Sequence, residues 1–187
     1  MALASAGGGP EAVVGGTATG SGVSVSADVS IRTNGKARDR SSRSVVRRLE
    51  RVGLRVRPRL EIGDDDCAEH SYRAVQRWFR EHPCTALYRA LLEVRDRRGG
   101  LVLVAVAWVD MPDAAEAAEL KRLVDRHGTG NVTELNRERG PYRDVRFTGE
   151  HYASRREGAT VVNAQAEPVG RVARVAELAE LAGSALG

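Results

Sequence analysis

Aromatic residues are scarce: two Phe, two Trp and four Tyr among 187 residues. A core must therefore rest on Leu, Val and Ala. Lysine is nearly missing as well; Lys36 and Lys121 stand alone beside an otherwise all-Arg basic set. Such a bias fits bidentate phosphate recognition. Because Ala, Gly and Val are raised together with Arg, G+C-rich coding is the plainer account. No run approaches the ~18–20 consecutive apolar residues that a membrane-spanning helix needs. Residues 1–20 lack the basic start and sustained apolar stretch of a secretory signal, and on that reading the protein is expected in the cytoplasm. Only two cysteines occur, Cys67 and Cys84. They leave three options: a disulfide, a share in a metal site, or two buried thiols.

What is present suits one domain with a tail. Hydrophobic content of 42% and charged content of 29% are ordinary for a globular chain. The net charge of +4 is unevenly spread. Residues 32–59 hold eleven Arg and Lys against Asp39 and Glu50 alone, whereas residues 60–187 are slightly acidic.

Residues 1–44 are rich in Gly, Ser, Ala and Thr and read as a disordered leader, because little apolar surface offsets the ordering entropy. Residues 45–60 read as an Arg-rich linker or short helix, with Val45, Leu49 and Val52 at helical spacing before Gly53. The folded domain is expected over 61–187. Tyr72, Val75, Trp78 and Phe79 form the stripe of a helix that Asp66 or Ser71 could cap and Pro83 stops. Residues 87–96 alternate, with Tyr88, Ala90, Leu92 and Val94 inward and Arg89, Glu93 and Arg95 outward. Residues 101–109 are continuously apolar, as in a central strand covered on both sides or over most of its length. Asp113 N-caps a second helix, with Glu116 completing a capping-box pattern; Gly128-Thr129-Gly130-Asn131 closes it as a C-cap and turn. Residues 132–137 suit one further helical turn. Strands are expected at 142–154, with Val145 and Phe147 inward, and at 159–167, then a helix at 171–185. The fold class is α+β: a four-stranded, mostly antiparallel sheet made of two hairpins joined by a helix, with helices on one face, in the order α-β-β-α-β-β-α.

Chemistry has few candidate positions. A helix over residues 71–81 is about 15 Å long at ~1.5 Å per residue. A Cys67–Cys84 bridge, needing Cα atoms within about 7 Å, thus requires both flanks to fold back. Cys67-x-x-His70 and His82-x-Cys84 supply the inventory of a structural zinc site, but from opposite ends of one helix, so no metal site is assigned. Glu134 and Glu138 are four residues apart and could pair as carboxylates. Glu134, Arg137 and His151 are the weak ligand-binding candidates. No nucleophile–base order stands out, so no catalytic residue and no cofactor is assigned, and whether the chain is an enzyme stays open.

Cys67-Ala-Glu-His-Ser-Tyr72, Trp78-Phe79, His82-Pro83-Cys84 and Asp125 through Gly128-Thr-Gly-Asn131-Val together resemble a group of uncharacterised α+β domains of high-G+C bacteria, over about residues 62–168. Members usually lie outside the cytoplasmic membrane, and no activity is attached to them. The resemblance implies a Cys67–Cys84 disulfide and an extracytoplasmic setting, against the cytoplasmic expectation from the missing signal. The leading functional expectation is a non-enzymatic binding or interaction domain with an unknown protein or small-molecule partner. An alternative is an enzyme or small-ligand binder with a pocket between sheet and helix. A second alternative is contact with nucleic acid or an anionic surface through Arg43, Arg47, Arg48 and Arg51.

Overall fold

The computed structural model describes residues 31–32, 41–95, 99–170 and 175–187. Most of the leader, and part of the turn at 97–100, lie outside the described residues. The elements run β1 (Ile31–Arg32), α1 (Arg43–Arg51), β2 (Arg55–Asp64), α2 (Arg73–Glu81), β3 (Ala86–Arg95), β4 (Leu101–Asp110), α3 (Ala114–Val124), α4 (Leu135–Glu138), β5 (Tyr152–Glu157), β6 (Thr160–Pro168) and α5 (Val175–Leu186). The fold is α+β. Five antiparallel strands in the order β2-β3-β4-β6-β5 make the sheet, and the two residues of β1 add a short parallel pairing beside β2.

Both expected hairpins are present, β3–β4 and β5–β6, and they join through β4 and β6. The sheet has more strands than the four expected, because residues 55–64 form β2. The run 45–60 thus divides between α1, whose Val45 and Leu49 are wholly buried, and the first part of β2. Pro58, which lacks an N–H to donate, falls where the β2–β3 register shifts, at Pro58/Leu60.

The helices cover both faces of the sheet, where one was expected. On the first face, Tyr88, Ala90, Leu92 and Val94 of β3 join Val102, Val104, Val106 and Trp108 of β4, beneath Val45 and Leu49 of α1 and Leu178, Leu181 and Ala182 of α5. Each such Leu or Val contributes about 1.5–3 kcal/mol on burial. Arg48 secures the α5 end, donating from Nε and Nη2 to the Ala185 carbonyl at 3.2 and 3.0 Å. Ser42 heads α1 without a side-chain cap of its own; its N–H and Oγ both donate to the Glu61 carboxylate.

The second face lies under α2, α3, α4 and the segment 139–149. Asp113 caps α3, accepting from the Ala115 and Glu116 N–H groups at 2.8 and 2.9 Å. The Glu116 carboxylate does not complete a capping box; it stands 3.5 Å from His82 Nδ1. α2 begins at Arg73 with neither expected cap: Tyr72 precedes it, and Asp66 instead accepts from the Glu69 N–H at 2.8 Å. The strand expected at 142–154 starts only at Tyr152. Upstream, Tyr142 is left-handed (φ 69°), Gly149 likewise (φ 80°), and the buried Asn136 amide donates to the Tyr142 and Val145 carbonyls at 2.8 and 2.9 Å. These bonds divert the chain from a ladder while Val145 and Phe147 still pack inward.

Candidate functional site

Residues 70–75 and 129–133 are laced together by their backbones. Tyr72 N–H donates to Asn131 O at 3.1 Å, Ala74 N–H to Thr129 O at 2.9 Å, and Thr133 N–H to His70 O at 2.8 Å. Gly130 (φ 97°) lies flush on this seam: a Cβ there would stand 2.1 Å from the Tyr72 carbonyl oxygen, so only glycine fits. Thr129 Oγ1 donates to the Leu123 and Arg126 carbonyls at 2.7 and 2.8 Å, closing α3. The Gly-Thr-Gly-Asn segment is thus both helix stop and wall.

Beside that seam opens a cleft of about 190 Å³ between the α2 start, the α3 end and the β5–β6 hairpin. Asn131 and Gln165, each 5% exposed, contribute to its base, and Phe147 and Tyr152 to its sides. Arg73, Arg126 and His127 are exposed at its rim. Arg73 has φ 60°, a left-handed backbone that a side chain adopts at a cost of about 1–2 kcal/mol. The lining carboxylate, Asp125, accepts from Lys121 Nζ at 2.5 Å, Ser154 Oγ at 2.5 Å and Tyr152 OH at 3.2 Å. Burial works to raise the Asp125 pKa, but these donors outweigh it and hold it below the usual carboxylate range. The Tyr152 hydroxyl is pushed up, chiefly by burial.

Behind the cleft lies a layer of buried polar groups. Gln165 Nε2 donates to Glu134 Oε1 at 2.9 Å, and Asn163 Nδ2 to Asn131 Oδ1 at 3.0 Å. Burial raises the Glu134 carboxyl, against its hydrogen bonds to its own N–H and to Gln165. Farther along β3, Arg89 grips Glu138 with two bonds of 2.6 and 3.0 Å and gives a third to the Thr133 carbonyl at 2.9 Å. His70 stands between Glu138 Oε1 at 3.0 Å and Asp64 Oδ2 at 2.9 Å. Glu138 raises the His70 pKa above its ordinary value, against burial. Burial opposes ionisation of Glu138, yet His70 and Arg89 hold it at about 2. A second knot joins Glu93 to Arg59 Nη2 at 2.6 Å and to the Tyr142 hydroxyl.

Cys67 and Cys84 stand at disulfide distance with Cα atoms 6.0 Å apart, the chain folding back on both sides of the nine-residue α2. Neither neighbouring imidazole joins them: His70 holds the two carboxylates, and His82 stacks on Trp78 at 4.6 Å. Glu134 and Glu138 take separate partners, Gln165 and the Arg89–His70 pair, and do not act as a carboxylate pair. Arg137 lies over the Tyr72 ring, 5.8 Å from its centroid. His151 is buried at the foot of β5, its carbonyl accepting from Ala166 N–H at 2.9 Å. Glu134, Arg137 and His151 are therefore not gathered in the cleft; Glu134 reaches it only through Gln165. Arg48 is engaged at the end of α5, while Arg43, Arg47 and Arg51 lie on α1.

Of the cleft-base residues, Asn131 stood out in the sequence only as part of the Gly128–Asn131 turn and Gln165 not at all, although one signal existed. Asn163 and Gln165 alternate with Val162 and Ala164 along β6, so two amides share the face of Val161. Polar residues on a strand face otherwise committed to burial call for partners. No protein-family model matches the chain, and no curated protein or solved structure does either.

Proposed function

We propose that the protein is a non-enzymatic binding domain that holds a small polar ligand in the cleft between β6 and the α2–α3 end. The observation that carries this reading is the construction of the cleft wall. A left-handed Arg73 and a glycine without room for a Cβ are pressed together there. Strain of that kind persists only where surrounding structure over-determines it, and it clusters at ligand clamps. A reacting centre is a poorer fit to the same lining. The Ser154 and Tyr152 hydroxyls already donate to Asp125, and a carboxyl held below its usual range is a weak base for activating them. The Cys67–Cys84 pair supports an oxidising, extracytoplasmic setting for this domain.

The experiment is a thermal-shift and NMR screen of the whole chain against small polar molecules. The expected result is a specific shift that maps to Arg73, Asn131 and Gln165, without turnover. If nothing perturbs the cleft, the reading falls; if a bound compound is chemically converted, its non-enzymatic part falls. Counting thiols in denatured protein from the native host, with and without reductant, tests the compartment, since two free thiols would remove its support.

A further inference from the structure

We infer that the cleft takes a carboxylate-bearing amide, such as an N-acyl amino acid or the last residue of a peptide; this rests on the binding reading above. The two buried amides each have one end tied into the fold. Gln165 donates through Nε2 to Glu134, which sets its orientation. Its Oε1 faces Gly149 on the cleft side, 4.0 Å from where a Cβ of that residue would stand, and no donor among the described residues reaches it. Asn131 uses its Oδ1 twice, accepting from Val132 N–H at 2.8 Å and Asn163 Nδ2 at 3.0 Å. Its Nδ2 has no acceptor among the described residues. The cleft base therefore offers one acceptor and one donor from side chains 95% buried. Both atoms stay open to the cleft, so a ligand presenting the matching N–H and C=O replaces water there and is favoured over one that lacks either.

The rim adds a charge preference. Among the described residues, Arg73 gives one 3.5 Å bond to the Gly128 carbonyl, and Arg126 one of 3.5 Å, from Nε to the Arg122 carbonyl. Asp125 is occupied by Lys121 and two hydroxyls. Two guanidinium groups thus remain for an anion, and their planar fork suits a carboxylate. Phe147 and Tyr152 leave apolar surface for a short side chain. The cleft volume of about 190 Å³ has room for a single terminal residue.

The test titrates the whole chain with N-acetylalanine, its uncharged amide, propionate, a trialanine peptide and uridine, followed by NMR. N-Acetylalanine or trialanine is expected to bind at least about tenfold more tightly than the uncharged amide or propionate, the loss that follows from removing one charged or one paired polar contact. Preference for the free acyl amino acid indicates a metabolite; preference for trialanine indicates a peptide terminus. Arg126→Ala, at an exposed position, should weaken binding about tenfold without altering the fold, and Gln165→Met should weaken it similarly. Equal binding of acid and amide, or an unchanged Arg126→Ala, overturns the inference. Uridine bound in the cleft in place of the acids overturns it too while leaving the binding reading intact. Silence of the cleft to every probe removes both.

Discussion

The two faces of the sheet solve burial in opposite ways. Under α1 and α5 the first face is filled by Ala, Val, Leu, Tyr88 and Trp108, with polar groups toward its margins, Glu61 under the α1 start and Asp110 with Thr160 at the strand ends. Under α2, α3, α4 and the 139–149 segment, the second face holds Arg89, Glu93, Asn163 and Gln165 among its apolar residues, each tied to a group from a distant segment. One face is held by non-directional packing. The other is held by directional pairs that position loops, and the cleft opens on that side. Apolar packing tolerates exchange of shape, whereas a buried charge demands its partner.

Five perturbations break or sharpen this contrast. Arg89→Ala should be the costliest single change, about 3–5 kcal/mol, because Glu138 loses both guanidinium bonds and keeps His70 alone; urea denaturation measures it. If the loss is under 1 kcal/mol, the paired layer does not hold the second face. Leu92→Ala on the first face should cost about 2–5 kcal/mol, depending on how far the site collapses. A combined Arg89→Ala, Leu92→Ala chain should lose close to the sum, since the two side chains point to opposite faces; a marked shortfall would show that the layers are coupled. Replacing Cys67 and Cys84 by Ala should cost about 3 kcal/mol for a loop of this length and loosen α2 and the seam at Gly130 first, read by amide exchange. The smallest effect is expected from Arg73→Gly, which relieves a left-handed side chain and should gain up to about 1 kcal/mol, reduced by the extra freedom of glycine in the unfolded chain.

The charged layer also sets a pH window. His70 has its pKa raised in the fold, so its contribution is complete below its ordinary value of 6.5 and is lost as pH rises through the higher folded value. Glu138 is held at about 2, so its contribution is complete above its ordinary value of 4.5 and is lost as pH falls toward 2. Stability from this cluster should therefore be flat between about pH 4.5 and 6.5 and decline on either side. His70→Gln should remove the alkaline decline; a thermal melt series from pH 5 to 8 that keeps the same decline in the variant would assign it elsewhere.

Much of the architecture was legible along the chain. The unbroken apolar run of β4 marked a central strand, and Asp113 marked the start of α3, because both depend on neighbours in sequence. The alternation in β3 was legible too, but its meaning was not. Arg89 and Glu93 read as solvent-facing, since period two separates faces without saying what covers them. Their partners, Glu138, Arg59 and Tyr142, lie tens of residues away. The residues 142–151 carry enough apolar character for a strand, and a buried Asn136 overrode it with bonds that no local pattern announces.

The sequence by itself determined the α+β class, the two hairpins, the place of most helices and the closing turn at Gly128–Asn131, because periodicity, caps and glycines act over a few residues. The tertiary structure decided the fifth long strand, the covering of the second face and the partners of Arg89, His70 and Gln165. It alone turned Asn131 and Gln165 into the base of a cleft. Those outcomes depend on which remote segments meet, and a buried polar group is defined by the partner that reaches it.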